Sequence, residues 1–343
     1  MNAPIGVFDS GIGGLTVAKE IMRQIPGESL VYFGDTARVP YGSKSKNTVC
    51  KYSKQIAKFL LTQDVKAIVI ACNTASALAR EELEDMVDVP VIDVVQPGAR
   101  MAAASTKNNK IGVIGTQSTI KSGIYESYLH KINPELTVVS KACPLFVPLV
   151  EEGLFEDRIT EDVVSRYLHD MKEYEIDALV LGCTHYPLLR GVIGREMGES
   201  VKLVNPAYET AKSLKDLLKE KDLLNVSGEK PEHKFFVSDG VDQFRSFASS
   251  KQEEKESESA EPTKEKGIQE DRDIQEDIEN VTSFLEAKDF FEKVFGLHGF
   301  IFLDAIFMWT VILENGSEKD SEMGAKHRKY PGFSGGTKTA CRI

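Results

Sequence analysis

With 343 residues, 53 acidic against 42 basic side chains and a net charge of −11, the chain has the length of two domains. It is also too acidic for a general nucleic-acid or anionic-membrane binder, which needs a basic surface. Hydrophobic residues at 41% and charged ones at 28% are those of an ordinary globular protein and exclude collagen-like, mucin-like and disulfide-scaffold classes. The five cysteines, Cys50, Cys72, Cys143, Cys183 and Cys341, are scattered with no CxxC pair, which predicts reduced thiols and no metal site. The first residues, Met1-Asn2-Ala3-Pro4, run straight into an apolar run with no leader-like segment, so the expected location is the cytoplasm.

Short Val- and Ile-rich runs at 5–8, 30–33, 67–71, 89–94, 111–114, 178–181 and 202–204 read as strands buried on both faces. Helical spacing falls between them at 15–24, 51–61, 76–86, 122–131 and 161–174. Alternating strand and helix predicts an α/β fold with largely parallel sheets. A weak internal repeat runs through it: IGVFDSG from residue 5 resembles IGVIGTQ from residue 111, and IACNT around Cys72 resembles LGCTH around Cys183. Two features in the same order at nearly the same offset predict two related, pseudo-symmetric halves.

Past residue 247 the composition changes. Residues 251–280 hold twelve acidic and five basic side chains, so this stretch carries −7 of the −11 and reads as a solvated insert. Helix-like spacing resumes at 283–295. The apolar run 300–313, with Asp304 and the single Trp309, is too short and too polar for a membrane span and reads as a buried hairpin or helix. The polar stretch 314–343 reads as a tail of little order.

Cys72 and Cys183 each follow a buried strand and precede a helical pattern, where open α/β sheets place ligands and where helix N–H groups favour a thiolate. If the two halves face each other, the two sulfurs meet across a cleft. That suits removal of a proton from one face of a carbon and delivery to the other, with one thiol ionised and its counterpart protonated. Cys50 and Cys143 read as packing residues. The glycines of Asp9-Ser10-Gly11-Ile12-Gly13-Gly14 expose N–H groups that can hold an anion, though the spacing is that of no nucleotide-binding loop. Asp9 can orient a cysteine or take a proton from an ammonium group. Thr74, Thr116, Thr119 and Thr184 supply hydroxyls, and His185 is placed to partner Cys183. The remaining histidines, His130, His169, His233, His298 and His327, read as surface groups.

The motifs DSGIGG (9–14), GDTARVPYG (34–42), ACNTAS (71–76), GTQSTIKSGIY (115–125), PLFVPLVEEG (144–153), GCTHYP (182–187) and VSD (237–239), in this order, resemble the glutamate racemase family. The resemblance covers about the first 247 residues. It implies a cofactor-independent isomerase with a two-lobed α/β fold and its active site in the cleft, supplying D-glutamate for peptidoglycan. It also implies that Cys72 acts on one enantiomer and Cys183 on the other, with Asp9 beside the first and Glu151 and His185 beside the second. Asp9, Ser10, Tyr41, Gly42, Asn73, Thr74, Thr116, Thr119, Thr184 and His185 fall on positions that cradle the substrate. The implied domains are 1–97 with 208–248, resumed at 283–295, and 98–207; the insert 251–280 and the extension 296–343 have no counterpart. A homodimer without nucleic-acid or membrane partners is expected. The alternatives are another amino-acid or hydantoin racemase of the same superfamily, or a regulatory protein that binds through the acidic insert.

Overall fold

The computed structural model describes residues 2–249 and 282–283. The acidic insert, the apolar run 300–313, the tail, Cys341, His298 and His327 lie outside the described residues.

The first half runs β1 (Ile5–Asp9), α1 (Leu15–Gln24), β2 (Leu30–Gly34), α2 (Lys46–Leu61), β3 (Ala67–Ile70), α3 (Asn73–Glu84) and β4 (Val91–Asp93). Helix α4 (Val95–Ser105) leads into β5 (Lys110–Gly115), α5 (Gln117–Lys121), α6 (Ile124–Ile132) and β6 (Thr137–Ala142). Next come α7 (Phe146–Glu151), α8 (Arg158–Leu168), β7 (Ala178–Gly182), α9 (Arg190–Met197) and β8 (Lys202–Val204). The chain returns through α10 (Pro206–Glu220) to β9 (His233–Val237), α11 (Val241–Ser249) and β10 (Thr282–Ser283). The order in one sheet is β10-β9-β2-β1-β3-β4 and in the other β6-β5-β7-β8, and every pairing is parallel.

The repeat read from the sequence is therefore a repeat of topology. Each half places its second strand beside its first, then its third and fourth, and the first sheet adds β9 and β10 at one edge. Ile5 of β1 lies opposite Leu30 and Ala67, as Ile111 of β5 lies opposite Val138 and Ala178. In such an order the connections reverse direction at the first strand, and the crevice beyond its carboxyl end is where a ligand fits.

Each sheet is covered on both faces, and both sheets lie in one compact unit. Against the first, Leu15, Ile21, Leu214 and Phe235 pack on one side and Ile56, Leu60, Ala79 and Leu83 on the other. Against the second, Phe146, Val164, Tyr186 and Ile193 face Ala99, Tyr125 and Leu129 across the sheet. Helix starts are fixed by side chains that accept otherwise unpaired N–H groups. Ser45 caps α2, Thr116 caps α5, Asp157 caps α8, and Asn205 caps α10 with Pro206 at its first position.

Several boundaries differ from the sequence expectation for physical reasons. The helix expected from 51 begins at Lys46, because the Ser45 cap lies a turn before the first strongly apolar position. The stretch read as one helix at 122–131 is preceded by the separate α5 and broken by Gly123, whose φ of 65° is left-handed. Strand β6 was not expected: it is an edge strand in which no residue is fully buried, rather than a continuous buried run. Ser283, expected to open a helical stretch, belongs to β10. His130 and His233 are half-buried rather than surface groups. His130 Nε2 lies 3.0 Å from the Leu136 carbonyl oxygen, and His233 Nδ1 accepts the Leu30 N–H at 3.2 Å. His169 is exposed as expected, and Cys50 and Cys143 are packing residues.

Candidate active site

At the end of β1, Asp9 is fully buried, and its Oδ2 accepts the N–H groups of Gly11 and Gly14 at 3.1 and 3.0 Å. This corrects the expectation that the glycine-rich turn offers these N–H groups to an anion: the anion they hold is the turn's own first carboxylate. A Cβ on Gly14 would lie 2.3 Å from Asp9 Cβ, so only glycine permits this close wrap. Tyr32 on β2 donates its hydroxyl to the Gly11 carbonyl at 2.9 Å and pins the turn from beneath.

One strand over, Cys72 follows β3 and is the N-cap residue of α3. Its thiol points to Ser10 Oγ at 3.6 Å. Asn73 and Thr74 form the first turn of α3. From the loop after β2, Tyr41 and Gly42 close one side. Tyr41 donates its hydroxyl to the buried Asp35, which also accepts from Arg38 Nε and Ser238 Oγ at 2.9 Å each. The VSD motif thereby clamps the GDTARVPYG loop.

The second half supplies the facing wall. Thr74 Oγ1 meets Thr116 Oγ1 at 2.9 Å and Thr119 Oγ1 at 3.2 Å, so three hydroxyls from both halves converge. Cys183 follows β7, and the next turn is a short 3-10 segment, Tyr186–Leu189, rather than the helix expected there. Thr184 Oγ1 donates to Asp9 Oδ1 at 3.3 Å across the halves. His185 stands between Cys183 Sγ, 3.8 Å from Nδ1, and Glu151 Oε1 at the end of α7, 2.6 Å from Nε2.

Burial shapes the electrostatics. Cys72 is pushed up to about 12, first by desolvation and then by the nearby Asp9 carboxylate. It is therefore a protonated thiol at neutral pH, opposite to the thiolate its helix position predicts; burial outweighs the dipole. Asp9 is also raised by burial, against the lowering pull of His185 and of the Gly14, Gly11 and Ser10 N–H groups. For His185 burial acts downward, but the contacts with Cys183 and Glu151 outweigh it and lift the imidazole to about 10. The two walls are thus unlike: a neutral thiol beside a hydroxyl on one, a sulfur beside a charged imidazolium on the other.

A narrow cavity is lined by Ser10, Tyr41, Gly42, Cys72, Asn73, Thr74, Thr116, Cys183, Thr184 and His185. The other candidates stand directly behind: Asp9 behind Ser10 and Thr184, Thr119 behind Thr116, Glu151 behind His185. The sequence reading did not single out Pro40 and Val147, which also line the cavity, although both lie inside motifs it quoted. Among the described residues no cluster of three or more His, Cys, Asp or Glu side chains could hold a metal ion, and no helix is long and apolar enough to cross a membrane.

Residues 5–214 match the Asp/Glu/Hydantoin racemase family. The chain is 53% identical over 235 residues to the glutamate racemase of Geobacter metallireducens, covering 68% of this chain and 87% of that protein. Among solved structures, a glutamate racemase isoform from Bacillus anthracis superposes with a TM-score of 0.70 at 44% identity, covering 72% of this chain and 92% of the other. The Francisella tularensis glutamate racemase, solved in complex with D-glutamate, gives 0.67 at 46% identity, covering 71% and 91%. Two cysteines at equivalent strand ends, walled by hydroxyls and an imidazole–carboxylate pair, thus occur in a chain that belongs to the Asp/Glu/Hydantoin racemase family and groups within it with the glutamate racemases.

Proposed function

We propose that the chain interconverts L- and D-glutamate by proton transfer at the α-carbon between two thiols, and so supplies D-glutamate for peptidoglycan. The observation that carries this reading is the pair Cys72 and Cys183, one from each half, lining a single cavity. Inversion without a net chemical change requires a base on one face of the carbon and an acid on the other. In one direction the Cys183 sulfur, as thiolate, takes the α-proton while the Cys72 S–H delivers its own to the opposite face; in the other the roles exchange. The charged imidazole of His185 lies against the Cys183 sulfur, and Glu151 holds that imidazole in place. Hydroxyls and amides of Ser10, Asn73, Thr74, Thr116 and Thr184 are the donors for the substrate's carboxylates, and Asp9, buried behind Ser10 and Thr184, supports that wall by holding the glycine-rich turn and the Thr184 hydroxyl.

In this reading residues 1–97 with 208–248 form one lobe and 98–207 the other, and the protein works in the cytoplasm as a homodimer, a state that light scattering on the purified chain tests. The mechanism calls on no cofactor. Interconversion of the glutamate enantiomers is followed by circular dichroism without added pyridoxal phosphate, alongside a panel of other amino acids and hydantoins. Both Cys72→Ser and Cys183→Ser are expected to lose at least about a thousandfold in kcat, since each removes one of two obligatory proton carriers. Full activity in either variant would overturn the two-thiol mechanism, and faster inversion of another substrate would overturn glutamate.

A further inference from the structure

Tyr125 is a buried residue near the start of α6, in the second half. Its hydroxyl donates to Asn73 Oδ1 at 2.6 Å, and Asn73 is the first residue of α3, next to Cys72. The same side chain touches the neighbour of the other cysteine: a Cβ on Gly182 would lie 3.2 Å from Tyr125 Cε2. A Cβ on Gly98, in α4, would lie 3.3 Å from the Tyr125 hydroxyl oxygen, so the residue is held at the passage between the halves.

We propose that Tyr125 is a positioning residue: its hydroxyl fixes the Asn73 amide, and its ring, lying on Gly182, ties that amide to the strand end that carries Cys183. The role rests on the racemase reading above and deepens it. With Oδ1 engaged by the phenol, the amide can offer the cavity only its N–H donors, which match a carboxylate and mismatch an ammonium group. Burial, with the Asp93 carboxylate and Cys183 nearby, holds the phenol well above its usual value, so it remains a donor through the working pH range. Without the hydroxyl the amide is free to turn its oxygen inward, where it repels the carboxylate it should bind.

The test uses the full chain with Tyr125→Phe, Asn73→Ala and the double variant, assayed with each glutamate enantiomer as substrate. Tyr125→Phe retains the ring on Gly182, and its unfolding midpoint should stay close to that of the unaltered chain. Its KM should rise roughly tenfold for both enantiomers with a smaller change in kcat, the effect of one lost buried hydrogen bond that serves binding. The double variant should be no worse than Asn73→Ala alone, because the hydroxyl acts only through that amide. An unchanged KM in Tyr125→Phe, or losses that multiply in the double variant, overturns the proposal while the unaltered chain still racemises glutamate. Failure of the unaltered chain to racemise glutamate overturns the functional reading, and this role with it.

Discussion

His185 shows most clearly how single residues set the chemistry. Its two nitrogens are committed, one to a sulfur and one to a carboxylate, and the charged form gains from both. Replacing Glu151 by Gln keeps a hydrogen-bond acceptor and removes the charge. The imidazolium is then less favoured, so the value near 10 must fall. The alkaline limb of kcat/KM against pH should move to lower pH, and kcat should drop about ten- to a hundredfold, less than the roughly 10²–10⁴-fold of a lost proton-transfer group, because Glu151 acts through His185. An unmoved alkaline limb would show that His185 titration does not govern activity. At this scale the sequence was legible where position alone sets the role. Cys72 and Cys183 were found because each ends a buried run, and His185 because it lies two residues from a cysteine. Glu151 is different: it sits 34 residues from His185 and only the motif resemblance reached it. The Gly11 and Gly14 N–H groups were misassigned because a sequence shows which donors a turn exposes, not that the turn's own aspartate folds back to take them.

Where the halves meet, contacts between elements depend on missing side chains. A Cβ on Gly42 would lie 2.4 Å from Thr116 Cβ, and one on Gly13 would lie 2.5 Å from Thr184 Oγ1. Both glycines belong to the first half and both obstructing residues to the second, so these glycines set how closely the walls approach. Gly42→Ala must push Thr116 aside or part the halves. Either displaces the Thr74–Thr116–Thr119 hydroxyls, and misplacing substrate contacts by about an ångström costs on the order of a hundredfold in rate. A fall of kcat/KM by ten- to a hundredfold is the expected outcome. Gly27→Ala, whose new Cβ would meet nothing closer than 3.8 Å, is the matched control and should be neutral. Equal kinetics for the two variants would mean that the cleft absorbs the extra methyl group. The elements themselves were readable in proportion to their burial. β1, β3 and β7, buried at every residue, stand out as apolar runs, whereas the edge strand β6, with no fully buried residue, resembles a loop in hydropathy. Helix starts were misjudged because periodicity marks where a helix meets the core, and caps such as Ser45 lie outside that face.

The described residues form two similar sheets whose ligand crevices face one another, with the chain's return through α10 and β9 completing the first sheet. That return strand carries a pH-sensitive joint. His233 opens β9 and accepts the Leu30 N–H of β2, and burial followed by the neighbouring Lys230 lowers it from 6.5 to about 4. In the unfolded chain this imidazole takes its proton near its ordinary value of about 6.5, while the folded chain resists it down to about 4. Between those values the unfolded state binds more protons, so the contribution of His233 is present above pH 6.5 and is lost as pH falls toward 4. Asp9 and Asp93, raised by burial, run the other way, and Cys72 and His185 act on the alkaline side, so total stability does not isolate the effect. The difference between two chains does. His233→Gln retains an acceptor for the Leu30 N–H and cannot titrate. At pH 7.5 it should be no more stable than the unaltered chain; at pH 4.5 its relative stability should rise, closing or reversing the gap in unfolding midpoint. A gap constant from pH 7.5 to 4.5 would mean that the β9–β2 joint does not resist protonation at His233.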